Sequence, residues 1–308
     1  MDLIIIAVAT YKRPNMLRSA LESLNCLKVF HHYQAQIMVC DNDPKKSAKP
    51  IFDSMKEKLF LPSFYFSEAK RGIVPARNKL LEKASKAGAS YLAFFDDDET
   101  VHPDWLAELL NAAKKFQAQA VWGKTVYFLP PNHPKWLEKR NFFGGDQPIT
   151  GTQRRGASTN NVLIDMQFLN KHNIRFDQRF NDIGGSDSFL FREVRDHGGK
   201  VISSQEAITY EEVPSSRASE EWILRRAYKN AHTEFRRTLI RKGRFAAVLL
   251  ASFYGVWLAV SYFFSQVLYP FKGYDFRIFN RRRRSKVKGL IHALKGRSHE
   301  EYSIIHGN

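Results

Sequence analysis

Three consecutive carboxylates, Asp96-Asp97-Asp98, follow directly on the apolar run Tyr91–Phe95. Adjacent acids repel one another and destabilise a fold unless a cation or hydrogen-bond donors offset them. On an extended segment alternate side chains point the same way, so Asp96 and Asp98 are expected to face one cleft. Hard divalent cations such as Mg2+ or Mn2+ take carboxylate oxygens, commonly one or two of them together with substrate phosphates. A cation here would neutralise charge on a departing diphosphate. The plainer alternative is a solvated acidic turn before the next helix.

Three other segments carry candidate chemistry. Asp41, in Asp41-Asn42-Asp43-Pro44, is either a turn-forming residue or a carboxylate that accepts from a nucleobase N–H. Arg71 and the helix start Ala76-Arg77-Asn78 put positive charge and unsatisfied N–H groups where phosphate can bind. In Gly184-Gly185-Ser186-Asp187 two glycines permit a tight turn. Asp187 then reads either as a first-turn acid of a helix or as a general base that removes a proton from an attacking hydroxyl.

The elements that must position these residues alternate. Strand-like runs at 3–9, 35–40, 63–67, 91–95 and 118–126 are separated by helical patterns, for example Leu17, Ala20, Leu21 and Leu24. That alternation predicts an α/β fold: a mostly parallel, Rossmann-like sheet flanked by helices. Ligands in such folds sit beyond the carboxyl ends of the strands, where Thr10, Asp41 and the three acids fall. The N-terminal run Leu3-Ile4-Ile5-Ile6 has no basic segment before it and reads as a first strand rather than a signal peptide. Two cysteines, Cys26 and Cys40, are too few for a disulfide framework and fit a reducing compartment.

Net charge is +17, and it is concentrated at one end. Residues 217–308 hold 19 Lys/Arg against 6 Asp/Glu, whereas residues 1–216 hold 29 against 25. The chain therefore divides into a nearly balanced body at 1–216 and a basic helical region at 217–308. Within the latter, 245–269 contains no charged residue and as a helix would be roughly 37 Å long, enough to span a bilayer. Basic residues flank it on both sides, and the positive-inside tendency wants both flanks in the cytosol, which favours in-plane attachment over a single span. A basic amphipathic helix at about 277–295 follows. An uncharged run beside basic clusters makes anionic membrane lipid the expected polyanion, and not nucleic acid.

The segments ATYKRP, CDND, RGIVPARN, FFDDDE and GGSDSFLFR, in this order and spacing, resemble family 2 glycosyltransferases of the GT-A fold, within them the succinoglycan-biosynthesis type. The resemblance covers roughly residues 1–240. It implies inverting transfer of one sugar from a nucleoside-diphosphate sugar, usually a UDP-sugar, with Mn2+ or Mg2+. Thr10, Tyr11 and Arg13 would border the nucleotide, Asp41 would read the base, and Arg71, Arg77, Asp96 and Asp97 would lie near the donor. Asp98 would be the direct metal ligand beside Asp96, and Asp187 the base, with Ser186 where the family pattern has Glu. Some members complete the metal shell with a His at a position where this chain has Glu211 and Glu212. No Gln-x-x-Arg-Trp motif of processive members is present. A lipid-linked or surface-polysaccharide acceptor at the cytoplasmic face of a bacterial inner membrane is the matching expectation. Two other classes fit less well. A nucleotidyltransferase usually carries a glycine-rich phosphate loop where this chain has ATYKRP, and a non-catalytic binder would make the acids accidental.

Overall fold

In the computed structural model, which describes residues 2–28, 33–139, 142–144, 148–268 and 274–296, the first apolar run forms β1 (Asp2–Thr10). Ile4, Ile5 and Ile6 are all fully buried, as befits a strand covered on both faces. In chain order there follow α1 (Pro14–Leu24), β2 (Tyr33–Asp41), α2 (Lys49–Lys56), β3 (Ser63–Ser67) and α3 (Ile73–Lys86). Next come β4 (Tyr91–Phe95), β5 (Glu99–Val101), α4 (Trp105–Phe116), β6 (Ala120–Phe128), β7 (Asn161–Asp165) and α5 (Met166–Lys171). The chain continues through α6 (Ser186–Asp196), β8 (Val201–Glu212), α7 (Glu220–Leu268) and α8 (Tyr274–Leu294).

The eight strands form one sheet in the order β3-β2-β1-β4-β7-β6-β8-β5. The four predicted N-terminal strands are parallel. Beyond β4 the sheet is mixed, because β7 runs antiparallel to both β4 and β6, and β5 antiparallel to β8. The two faces bury separate cores. One holds Leu17, Leu21, Phe52, Trp105 and Leu109; the other holds Leu80, Leu81, Phe176, Leu190 and Phe191. Each such side chain contributes about 1.5–3 kcal/mol on leaving water. Together they hold the carboxyl ends of β1 and β4 side by side.

The described part of the basic region touches this body, Thr233 Oγ1 of α7 donating to the Ile183 carbonyl at 2.8 Å. Gly243 breaks α7 with non-helical φ 80° and ψ 174°. The helix folds back there, so that Ala231 and Phe235 of its first arm share an apolar cluster with Ala247, Ala251 and Leu258 of its second. In a straight helix Phe235 and Ala247 would lie about 18 Å apart. The helix α8 packs against both arms: Gly289 meets the backbone of Tyr228, and Leu290 approaches Gly255. The outer face of the second arm, with Phe245, Leu249, Phe253, Val256, Val260, Phe263 and Phe264, is left exposed. This helix is long and apolar enough to cross a membrane, with mean hydropathy 1.8 over its apolar window. The expected end of the apolar run at Tyr269, and Lys272 after it, lie outside the described residues.

Candidate active site

A cavity of about 1050 Å3 opens over the carboxyl ends of β1 and β4. Thr10, Tyr11, Arg13, Arg71, Arg77, Asp96, Asp97, Asp98, Asp187 and Glu211 all line it. Asp41 does not. It is fully buried, and its carboxylate accepts from the backbone N–H groups of Asp43 and Ala48 and from the Tyr65 hydroxyl, each at 2.9 Å. The turn-forming alternative therefore describes its geometry, and the neighbouring Asn42 faces the cavity instead.

The three acids are not an extended segment, contrary to the pleat expected from the sequence. The strand β4 stops at Phe95, and the Glu99 N–H donates to the Asp96 carbonyl at 3.1 Å, closing a turn before β5. The turn nevertheless leaves all three carboxylates on the cavity wall, with Asp97 and Asp98 sharing Arg13 and Asp96 beside Arg77. Asp97 accepts from Thr10 Oγ1 at 2.7 Å and from Arg13 Nη1 at 3.0 Å. Asp98 lies 3.1 Å from the same Arg13 nitrogen, while Arg77 Nη2 lies 3.5 Å from Asp96. Burial pulls the Arg13 pKa down, but Asp97 and Asp98 more than offset it and leave it raised. Burial, then Asp98, pushes Asp97 up to about 7. Loss of solvation also raises Asp96 above the ordinary carboxylate range, with Arg77 opposing.

Glu211 reaches the acids through strand register. In the antiparallel pairing of β5 with β8, Glu211 stands opposite Glu99, one residue beyond Asp98. Arg217, in the connection to α7, bridges the two carboxylates: Nη2 lies 3.2 Å from Asp98 Oδ2, and Nη1 2.6 Å from Glu211 Oε1. Burial, then Asp98, brings Glu211 up to about 7. Glu99 is buried behind this pair, accepts from Asn160 Nδ2 at 2.7 Å, and is held well above its usual pKa by burial and Asp96. Its Oε2 has no hydrogen-bond partner.

Among the described residues no group of three or more Asp, Glu, His or Cys is arranged to hold a metal ion as it stands. The donor chemistry nonetheless fits a hard cation. Asp98 and Glu211 already converge on one positive group, and carboxylate oxygens are what Mg2+ and Mn2+ prefer.

Two asparagines and two glycines set the opposite wall. Gly72, at φ 123°, donates its N–H to Asn42 Oδ1 at 2.6 Å, and Asn181 Nδ2 donates to the Arg71 carbonyl at 3.0 Å. A Cβ on Gly72 would lie 1.9 Å from Asn181 Oδ1, so only glycine lets this turn carry Arg71 into the cavity. Arg71 stacks over the Tyr11 ring at 5.7 Å. Gly185, at φ 87°, opens α6 and presents Asp187 on its first turn, where Ser158 Oγ donates to Oδ2 at 3.4 Å. Thr233 of α7 donates to the Ile183 carbonyl at 2.8 Å, which fastens this loop to the basic region. Trp222, Arg226, His232 and Arg236 of the same helix also line the cavity.

Sequence reasoning missed Arg217, Asn42, Asn181 and the α7 residues. A lone Arg between Ser216 and Ala218 carries no local signal, and the asparagines read as ordinary turn residues.

The model of the family described as "Glycosyl transferase family 2" matches residues 5–175. The succinoglycan biosynthesis protein ExoM of Rhizobium meliloti (strain 1021) is 31% identical over 231 residues, 75% of this chain and 74% of ExoM. Among solved structures, a mannosyltransferase of Pyrobaculum calidifontis in complex with GDP-Man and Mn2+ superposes with TM-score 0.64 at 15% identity, covering 96% of this chain and 88% of that one. Residues 1-349 of S. aureus TarS in complex with UDP-GlcNAc give TM-score 0.53 at 14% identity, covering 100% of this chain and 95% of that one. The two structural likenesses establish architecture only. With the family model spanning more than half its length and a relative 31% identical across three quarters of it, the chain belongs to glycosyltransferase family 2, on a GT-A fold.

Proposed function

We propose that this protein transfers one sugar per encounter from a nucleoside-diphosphate sugar, a UDP-sugar in the first instance, to a hydroxyl of a lipid-linked or surface-polysaccharide acceptor, with inversion. The observation that carries this reading is the meeting of Asp96, Asp97, Asp98, Glu211 and Asp187 in one cavity, although the turn after β4, β8 and α6 supply them separately.

In this mechanism Asp187 takes the proton of the acceptor hydroxyl, whose oxygen forms a bond to the anomeric carbon. The bond from that carbon to the diphosphate oxygen breaks, and the nucleoside diphosphate departs. Asp98, with Asp96 and Glu211 beside it, would hold Mn2+ or Mg2+, which supplies positive charge to the leaving diphosphate. Arg13, Arg71 and Arg77 surround the donor, Thr10 and Tyr11 border the nucleotide, and Asn42 replaces Asp41 as the residue facing the base. Arg217 holds Asp98 and Glu211 in this structure and would have to leave them wherever those carboxylates held an ion.

The exposed apolar arm between basic segments supports attachment to the cytoplasmic face of a membrane. The fold-back at Gly243 favours an arm lying in the surface over a helix crossing it, since α8 and the first arm cover its inner side.

Purified full-length protein would be assayed against a panel of UDP- and GDP-sugars with Mn2+ or Mg2+. Release of UDP from one donor, abolished in Asp98→Ala, is expected. Once an acceptor is found, Asp187→Asn should lower kcat by at least about a hundredfold while donor binding persists. Silence across the panel, with no metal-dependent nucleotide binding by calorimetry, would end the catalytic reading.

A further inference from the structure

Asn160 and Asn161 stand side by side where β7 begins, and their side chains serve different places. Asn161 is fully buried; its Oδ1 accepts from Trp105 Nε1 at 2.8 Å, and its Nδ2 donates to the Lys124 and Ala207 carbonyls, each at 3.0 Å. Asn160 is half-buried and lines the cavity. Its Nδ2 donates to Glu99 Oε1 at 2.7 Å and to Thr125 Oγ1 at 2.8 Å. Thr125 Oγ1 is itself 3.0 Å from Thr209 Oγ1, so the amide nitrogen is tied to a polar network carried by β5, β6 and β8. An amide nitrogen has two hydrogens, and both are used there. The oxygen is left over: among the described residues Asn160 Oδ1 makes no hydrogen bond. Turned over, the amide would set its oxygen against Glu99 Oε1, and only a proton held between the two would relieve that contact.

Strand register fixes where this oxygen stands. In the antiparallel pairing of β4 with β7, Phe95 is opposite Asn161, so Asn160 comes next to Asp96, the first of the three acids. Two residues earlier in the chain, Ser158 Oγ donates to Asp187 at 3.4 Å. The stretch 158–160 therefore runs from the proposed base to the carboxylates proposed to steady the diphosphate. A sugar in transfer has its anomeric carbon between the attacking and the departing oxygen, and its ring lies along this stretch. The ring hydroxyls need acceptors when they leave water. Asp96, Asp97, Asp98 and Glu211 each lie beside an arginine, whereas Asn160 Oδ1 is a neutral acceptor left open on the same wall.

We propose that Asn160 Oδ1 accepts a hydrogen bond from a hydroxyl of the transferred sugar and thereby selects among donors, with Glu99 and Thr125 holding the amide in that orientation. The inference rests on the proposed function for the presence of a nucleoside-diphosphate sugar in the cavity. It deepens that reading by naming the residue that tells one sugar from another. A site that pairs a substrate hydroxyl rejects a ring lacking it, because the protein acceptor is then left unpaired.

The test titrates the full-length chain with UDP, UDP-glucose, UDP-galactose and UDP-N-acetylglucosamine in the presence of Mn2+, read by calorimetry. Asn160→Ala should weaken the tightest of the three sugars by about tenfold and leave UDP within about twofold. Singly deoxygenated analogues of that sugar locate the hydroxyl. One of them should bind the parent about tenfold more weakly than the complete sugar, and Asn160→Ala should no longer distinguish the two. Asn160→Ala strands Glu99, so Asn160→Ala with Glu99→Gln, which removes the stranded acid, is read in the same way. Asn160→Asp with Glu99→Gln exchanges donor and acceptor between the two side chains and still turns an oxygen to the cavity. That exchange should keep the deoxygenation penalty. Thermal melting confirms that each variant is folded. Equal weakening of UDP and UDP-sugar in the alanine variants would make Asn160 merely structural and overturn the proposal. So would a deoxygenation penalty that is absent from the parent, unchanged in the alanine variants, or lost in the folded exchange. Each of these leaves UDP binding and the catalytic reading in place, whereas absence of UDP binding by the parent ends that reading and this inference together.

Discussion

The Arg217 guanidinium reaches the Asp98 carboxylate, Nη2 to Oδ2 at 3.2 Å, with its other terminal nitrogen on Glu211. One side-chain cation therefore takes the place in which two candidate metal ligands converge, and under the proposed function a metal ion would compete with the guanidinium for the same oxygens. Arg217→Ala should bind Mn2+ alone several-fold more tightly than the parent chain, measured from free Mn2+ by electron paramagnetic resonance. The same variant should lose about 1–3 kcal/mol of metal-free stability, because the two carboxylates lose a largely buried hydrogen-bond partner. Unchanged Mn2+ affinity would mean that Arg217 does not stand in the metal's place.

Proton uptake in the metal-free site has a definite sign. Asp97 and Glu211 sit at about 7 in the folded protein, raised by burial and by Asp98. Unfolded carboxylates titrate near ~4, so between about 4 and 7 the native state binds more protons than the unfolded state. Stability then falls as pH rises through that window. A divalent cation offsets the charge that deprotonation creates. The rise in Tm on adding Mn2+ should accordingly be larger at pH 8 than at pH 6, by scanning fluorimetry. An equal rise at both values would show that these acids are not coupled to the ion.

The turn that delivers Arg71 depends on a missing side chain. Gly72→Ala forces an L residue to φ 123° and pushes its Cβ to 1.9 Å from Asn181 Oδ1. Strain and overpacking together should cost about 2–4 kcal/mol. The displaced Asn181 should also release the Arg71 carbonyl and weaken nucleotide binding. Gly72→Ala with Asn181→Gly should regain stability, since it removes the clash. Failure of that double variant to recover any stability would locate the cost in backbone strain alone.

What was legible in the sequence follows how locally each feature is encoded. The four parallel strands and the three acids carry their own signals: short β-rich runs, each ending in polar residues. The turn that brings Asp187 to the cavity was legible through its paired glycines, while first-turn acid and base stayed open as readings of its carboxylate. Asp41 was not, because a turn-forming and a ligand-reading carboxylate have the same neighbours in sequence, and only the Tyr65 hydroxyl and two backbone donors tell them apart. The placement of Glu211 needed β5, three residues long, and β8, whose Ser, Gln, Thr and Glu residues blur an apolar pattern. Without that register Arg217 has no assignable partner. The fold-back at Gly243 was hidden because a glycine among arginines reads equally as a flank of a straight helix.

The second arm of α7 makes the membrane reading testable without touching the cavity. Phe253 and Val260 are 76% and 48% exposed, on the face opposite Ala247, Ala251 and Leu258. Replacing either by Glu removes apolar area from the exposed face and leaves the helix packing intact, so the Tm should stay within a few degrees. Burial of one such side chain is worth about 1.5–3 kcal/mol, and a charge at the same depth adds to the loss. Each variant should therefore reduce partitioning onto phosphatidylglycerol-containing vesicles by about tenfold or more. Ala251→Glu, at a position only 7% exposed between α7 and α8, should instead unfold the hairpin and lower the Tm. If Phe253→Glu and Val260→Glu bind vesicles as the parent chain does, the apolar face serves another partner, and attachment must be sought in the basic residues of α8.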